Sequence, residues 1–403
     1  MTSPPLIGNA ALMRMAMSGI DLAPLGEQLL ARAAADPNDA NALMDMSMIL
    51  QLTGNRELAL VMQMQALEIQ TLYRLPARTG EPGVRLLAFM APGDLMTNTP
   101  LDCLLEDDDS DVALDMLYLG AGLEAPAELP EHDLLFIAIG ASDRNGELLV
   151  EIGEATRGWP RPVLNLPEHT AWTSREAACE RLRAAPGIVM PGTARIDRET
   201  LARLGSTELP LHTILDDGAF PLIVRPLDSH AGQGLAKIDT PAAIGGYLDG
   251  IADDEFHVSS FIDYRGSDGQ FRKYRVVLIE GRPYASHMGI SEHWMIHYLN
   301  AGMAESAEKR AEEERFMTGF DEGFARRHAA AFRAIQERMM LDYLVIDCAE
   351  TPAGGLLIFE VDTGAVVHAL DPVDIFPYKQ PQMRKVFAAF RAMLGNAMQR
   401  HVD

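Results

Sequence analysis

Three carboxylates near the end of the chain have the spacing to share one face. Tyr343-Leu-Val-Ile-Asp347-Cys and Leu356-Leu-Ile-Phe-Glu360-Val-Asp362 are apolar runs joined through Gly354-Gly355, the pattern of a hairpin. Side chains alternate along a strand, so Glu360 and Asp362 point the same way. With Asp347 opposite them, three carboxylates converge from buried strands. Such a cluster is costly unless neutralised, and a hard divalent cation such as magnesium neutralises it through oxygen ligands. The alternative is a set of strand-end charges in solvent. Upstream, Phe220-Pro-Leu-Ile-Val-Arg225-Pro226 reads as a strand ending in a cation, followed by Asp228-Ser229-His230-Ala-Gly232-Gln-Gly234. Glycines and small polar residues let backbone N–H groups approach phosphate oxygens, while Arg225 supplies charge. A plain hairpin loop is the competing reading of this segment.

Other chemistries find no support. There is no Gly-x4-Gly-Lys-Ser/Thr loop, Gly120-Ala-Gly122 lacks the third glycine of a dinucleotide fingerprint, and no Gly-x-Ser-x-Gly elbow occurs. No cysteine pair has zinc spacing. His293 and His297 stand four apart beside Glu292 without the rest of a zinc-protease pattern, which favours loop or substrate-contacting histidines. The acidic run Glu106–Asp111 lacks the alternation and glycine of a calcium loop and reads as a solvated loop.

The elements that must position these residues fall into three stretches, consistent with a chain of 403 residues. Residues 1–80 read as helices, with apolar positions at Leu43, Met46 and Leu50 and again at Leu58, Val61, Met62 and Leu67, broken at Thr53-Gly54-Asn55. Small residues at Ala59 and Ala66 suit a closely packed, tetratricopeptide-like hairpin. The methionines crowded here read as adaptable core filling, with a Met-lined partner groove as the alternative. Residues 84–185 alternate apolar runs (Leu86–Met90, Met116–Leu119, Leu134–Ile139, Val163–Leu166) with helical stretches, the signature of a small, open, Rossmann-like parallel sheet. Ala91-Pro-Gly-Asp94 lies at a strand's carboxyl end, where such sheets bind ligands. Residues 186–403 read as α+β, with strands around Phe220–Val224, Gly234–Ile238, His257–Ile262, Tyr274–Ile279, Tyr343–Cys348 and Leu356–Val361, and a charged helix from Ala304 to Met340 interrupted at Gly319. The fold class is therefore α/β and α+β, multidomain.

Charge and cysteine usage narrow the partners. The chain carries 34 basic and 58 acidic residues, a net charge of −24, which argues against nucleic acid or an anionic membrane as partner. Cys103, Cys179 and Cys348 are scattered and odd in number, as in a reducing cytoplasm. No apolar run reaches the roughly 18 residues of a membrane span, and no signal-peptide pattern opens the sequence. A cytoplasmic protein is expected.

In their order along the chain, these motifs resemble the ATP-grasp superfamily, specifically its glutathione-synthetase-like and ribosomal-protein glutamate ligase branch. The resemblance runs from Val163 to Pro372, through Gly187-Ile-Val-Met-Pro191, the Arg225 strand and its glycine loop, Val258-Ser-Ser-Phe261-Ile262, Lys273-Tyr-Arg275-Val276, Asp347 and Glu360-Val-Asp362. It implies an ATP-grasp fold and an ATP-dependent carboxylate–amine ligase working through an acyl phosphate. Arg225 stands where the family usually has a nucleotide-contacting Lys. Ser229, His230, Gly232 and Gly234 would close over the phosphates. Ser260, Phe261 and Ile262 would read the adenine edge, and Asp263 the ribose hydroxyls. Arg275 would stabilise the transferred phosphoryl group, and Asp347, Glu360 and Asp362 would hold two magnesium ions, Asp362 replacing the commoner Asn. His293, Trp294, His297 and Asn300 lie where relatives contact substrate, a small molecule or a peptide. Residues 1–80 are the expected surface for a protein partner or self-association. The rival expectation is an ATP-binding regulatory protein with little turnover.

Overall fold

The computed structural model describes residues 4–227, 229 and 232–402. Four helices open the chain: α1 (Asn9–Met17), α2 (Ala23–Ala35), α3 (Ala40–Leu52) and α4 (Arg56–Ile69). The Asp39 carboxylate caps α3 by accepting from the Ala42 N–H. Gly54, at φ 83°, makes the turn into α4 in a conformation that favours glycine. Ala42, Ala59 and Ala66 are fully buried, which lets α3 and α4 lie close together. The buried stripe of α4 differs from the expected one. Leu58 and Val61 are 50% and 51% exposed, while Ala59, Gln63, Ala66 and Leu67 face inward. A polar loop lies under this stretch of the helix, and a glutamine serves it better than leucine.

The helices end at Ile69, and the next residues already belong to the first sheet. That sheet contains β1 (Leu72–Leu75), β2 (Val84–Met90), β3 (Val112–Tyr118), β4 (Leu134–Ile137) and β5 (Val163–Leu164), in the order β1-β3-β2-β4-β5. Strands β2 to β5 pair in parallel, as the alternation of runs predicts, and β1 adds an antiparallel edge. Alternate residues serve two cores. Leu86, Ala88, Met90, Met116 and Tyr118 share a cluster with Met44, Ala66 and Leu67, whereas Leu87, Phe89 and Ile137 pack on Leu149 and Ile152 of the helix Gly146–Ala155.

Nine further strands are β6 (Ile188–Val189), β7 (Thr193–Asp197), β8 (Leu222–Pro226), β9 (Ala236–Ile238), β10 (Glu255–Ser260), β11 (Phe271–Ile279), β12 (Arg282–Ser291), β13 (Tyr343–Glu350) and β14 (Leu356–Asp362). They make a four-stranded antiparallel sheet, β7-β10-β8-β9, and a five-stranded sheet, β12-β11-β13-β14-β6. Helices Arg198–Gly205 and Ala243–Asp249 cover the smaller sheet through Leu201, Leu204, Ile244 and Leu248. The charged stretch is two helices, Ala307–Thr318 and Ala329–Met339, separated at Gly319 by a π-helical turn, Asp321–Ala325. A closing helix, Lys379–Val402, and strands β6, β7 and β12 have no clear signal in the sequence. The edge strand β12 contains Pro283, Ser286 and Gly289 and gains its conformation from pairing with β11.

Candidate active site

The central feature is a row of side chains carried straight across the large sheet. In the strand register His287 of β12 opposes Arg275 of β11, Arg275 opposes Asp347 of β13, and Asp347 opposes Glu360 of β14. Two register irregularities, after Arg275 and after Asp347, fall at this row. Such bulges re-aim side chains beside functional sites. Arg275 donates to both oxygens of Asp347, Nε to Oδ1 at 2.8 Å and Nη2 to Oδ2 at 3.0 Å, and its Nη1 donates to the Val366 carbonyl at 3.0 Å. Lys273, two residues earlier and on the same face, reaches Asp347 Oδ2 at 2.7 Å. Burial alone would raise the Asp347 carboxyl, but Arg275 and Lys273 outweigh it and hold the group far below the usual carboxylate range.

Glu360 is also answered by cations. Arg175, at the start of the helix Arg175–Leu182, donates Nη2 to Glu360 Oε1 at 2.6 Å and Nη1 to the Phe359 carbonyl at 3.3 Å. Against the penalty of burial, Arg175 and Arg225 keep Glu360 low. Asp362 differs from both: burial, aided by the charge of Glu360, raises it to about 6. It accepts from the Gly364 N–H at 2.9 Å. The sequence-predicted trio is thus assembled, but two of its members are already paired. Among the described residues no three His, Cys, Asp or Glu side chains stand ready as a metal-holding group. The donor set nevertheless suits magnesium, because the oxygens are hard and, among the described residues, Asp362 makes no direct ion pair of the kind that holds Asp347 and Glu360.

Arg225 faces this row from the smaller sheet. Burial, and then the charge of Arg175, lower its guanidinium to about 10, and Glu360 lies close enough to oppose that shift. Its Nε donates to Ser229 Oγ at 3.2 Å and its Nη2 to the Ser229 carbonyl, tying the cation to the first turn of the loop. Gly234, at φ 66°, brings its backbone against the Pro226 ring, where an added Cβ would stand 2.7 Å from a ring carbon. Gly232, at φ 78°, faces the sulfur of Met295, so the loop of the smaller sheet meets the 291–300 segment of the larger one. His230 lies outside the described residues. His257, opposite Arg225 in the register, pairs through Nε2 with Glu176 at 2.8 Å.

The proposed adenine-reading segment lines the connection between the two sheets. The Phe261 N–H donates to the Pro221 carbonyl at 2.8 Å, and Ser260 Oγ accepts from the Ala219 N–H at 2.9 Å. The Lys237 ammonium sits 4.8 Å over the Phe261 ring, and Trp294 meets that ring edge-on at 5.8 Å. Ile262 is half-buried at the same place. Asp263 is exposed and accepts from the Arg265 N–H. In the 291–300 segment, His297 lies near the row, where burial, Lys273 and Arg275 lower it. Asn300 Oδ1 accepts from the His297 N–H at 3.1 Å and fixes that turn. His293 is exposed, and its N–H donates to Ser291 Oγ at 3.1 Å.

Sequence reasoning missed three groups that belong to the row or pair with it. Lys273 was detectable, since it shares the face of Arg275. His287 follows only from a strand the sequence does not announce. Arg175 comes from a helix whose pattern carries no hint of Glu360.

No family model matches the sequence, and no curated protein is similar to it by sequence. Solved structures similar in fold include the D-alanine–D-alanine ligase of Bacillus anthracis complexed with ATP, at 12% identity and a TM-score of 0.48 over 79% of this chain and 99% of that one. The D-alanine–D-alanine ligase of Coxiella burnetii is similar at 11% identity, covering 79% of this chain and 96% of its own, with a TM-score of 0.49. A RimK domain ATP-grasp protein from Sphaerobacter thermophilus is similar at 17% identity, with a TM-score of 0.43 over 78% of this chain and 99% of its own.

Proposed function

We propose that the chain is an ATP-grasp enzyme, an ATP-dependent carboxylate–amine ligase. The observation that carries this reading is the approach of two sets of groups, close enough that Arg225 and Glu360 act on each other's charge. One set is the Arg275–Asp347–Glu360 row with Asp362, and the other is Arg225 with its positive-φ glycine loop. In this reading Arg225, Ser229, Gly232, Gly234 and Lys237 hold the nucleotide phosphates, and Ser260, Phe261 and Ile262 hold the base. Asp347, Glu360 and Asp362 would hold magnesium, which would supply charge neutralisation at the phosphates. An oxygen of the substrate carboxylate bonds to the γ-phosphorus as the bond to ADP breaks. The amine nitrogen then bonds to the acyl carbon, phosphate leaves, and the nitrogen loses a proton. Arg275 and Lys273 face the charge that builds on the transferred group. In this reading the loop at Gly232, which lies against Met295, shields the reacting groups from water.

Mixtures of acids and amines should release ADP only when both are present, and hydroxylamine should divert the acyl phosphate to a hydroxamate. Absence of ADP release across broad mixtures would sink the ligase reading. A second reading has support in the ion pairs themselves. Asp347 and Glu360 are already neutralised by Lys273, Arg275 and Arg175, as in a site that binds ATP without turnover. Calorimetric binding of Mg–ATP with no ADP formed would select it.

A further inference from the structure

The loop after β2 is gripped by the N-terminal helices through side chains that act like peptide groups. The Gln63 amide, 6% exposed, donates Nε2 to the Gly93 carbonyl at 2.8 Å and accepts from the Gly93 N–H at 2.7 Å. Gln51 Oε1 accepts from the Leu95 N–H at 2.8 Å, and Arg56 Nε donates to Asp94 Oδ2 at 2.9 Å. Within the loop, Asn98 makes the same two-way bond with Ala91, at 2.7 and 2.8 Å. Residues 91–98 are thus pinned at both ends by amide pairs.

The far side of that loop touches the carboxylate site. A Cβ on Gly364 would stand 2.5 Å from the Met96 carbonyl oxygen, so the two backbones are in direct contact. Gly364 is the residue whose N–H holds Asp362. Two residues on, the Val366 carbonyl accepts from Arg275. Leu95, Val366 and Leu370 pack in one apolar cluster with Leu12, Met48 and Ile49 of the helices.

We propose that the N-terminal helices form the supporting wall of the substrate pocket, with Gln63 as a positioning residue that sets residues 91–98 against the 363–371 segment. This rests on the ligase reading for the word substrate, and the coupling between the two loops stands without it. Among the described residues no hydrogen bond or ion pair links Arg225, Ser229, Gly232, Gly234 or the 260–263 segment to α4, whose side chains bond to residues 93 and 94, so nucleotide binding is expected to stand outside the effect.

The test compares wild type with Gln63→Leu, which keeps size and removes both hydrogen bonds, and with Val61→Ser on the exposed face of α4. Hydrogen exchange should accelerate about tenfold or more in both 91–98 and 363–371 of Gln63→Leu, since losing one or two bonds opens a segment by that order. Affinity for Mg–AMP-PNP should stay within about twofold of wild type, and Val61→Ser should match wild type throughout. Once an acid–amine pair is found, Gln63→Leu should raise its KM while KM for ATP holds. Acceleration confined to 91–98, or nucleotide affinity lost in parallel, overturns the proposal. If Gln63→Leu does not fold, Gln51→Leu, which removes only the Leu95 bond, is held to the same two criteria. A wild type that binds no AMP-PNP would remove the ligase reading, while the exchange result would still judge the coupling.

Discussion

Asp347 is shared between two cations, Lys273 at 2.7 Å and Arg275 at 2.8 Å, and its side chain is almost fully buried. Removing one partner of a buried pair costs more than the pair is worth, because the remaining charges lose their nearest partner. Asp347→Ala should therefore destabilise the protein by about 3–5 kcal/mol, read from urea denaturation. Asp347→Asn keeps the shape and one acceptor and should cost less. The effect carries a pH signature. The folded carboxyl lies far below its unfolded value of about 4, so its stabilisation is fully present above that value and is lost as pH falls below it. The gap between wild type and Asp347→Ala should narrow on acidification. A gap that is flat from pH 7 to 3 would mean that the cations do not hold this carboxylate in solution.

At the scale of elements, backbone contact between loops makes sharper demands than side-chain packing. At Gly364 a methyl group would meet the Met96 carbonyl oxygen at 2.5 Å, and backbone cannot swing aside. Gly364→Ala should cost about 1–3 kcal/mol. Gly245, inside the helix Ala243–Asp249, has nothing within 4 Å of an added Cβ, so Gly245→Ala should stabilise by about 0.5–1 kcal/mol. Thermal denaturation of the pair separates crowding from a general intolerance of alanine. A second element-level expectation concerns the segment before α1. Asp45 of α3 accepts from the Ile7 and Gly8 N–H groups, and burial raises its carboxyl from 3.8 to about 6. A raised folded value means that stability is drawn from the protonated form and declines as pH rises from about 4 to 6, by about 3 kcal/mol at most. Asp45→Asn should abolish that slope in a pH series of melting curves. The same elements show what a sequence can reveal. Strands β13 and β14 were legible because their buried runs are apolar, with carboxylates standing out at Asp347, Glu360 and Asp362. The pairing of Arg175 with Glu360 was not, since the two lie 185 positions apart and nothing local records it. On α4 the periodicity suggested that Leu58 and Val61 were core, and the polar demand of Gly93 turned the helix to present Gln63 instead.

Across the whole molecule, the N-terminal helices are bound into the body rather than appended to it. Met44, Ala66 and Leu67 share one core with Leu86, Met116 and Tyr118 of the first sheet. Leu12, Leu29 and Ile49 share another with Cys103 and Leu370. A helical hairpin cannot bury its apolar face alone, and here the sheet supplies the missing surface. Large apolar side chains left exposed on these helices include Leu30 on α2 and Leu58, Val61 and Ile69 on α4. Deleting residues 1–69 would uncover part of one face of the first sheet, around Met90, Met116 and Tyr118, all buried in the intact chain, while Phe136 on that face stays covered by Phe390 of the closing helix. Exposed apolar areas of that kind drive association. The fragment 70–403 should therefore bind the dye ANS strongly and elute as aggregates, whereas the intact chain should do neither. A monodisperse, ANS-silent fragment would show that the sheet stands without the helices. It would also return residues 1–69 to the role of a detachable docking module, leaving the contact between Met96 and Gly364 to be held by the loops alone.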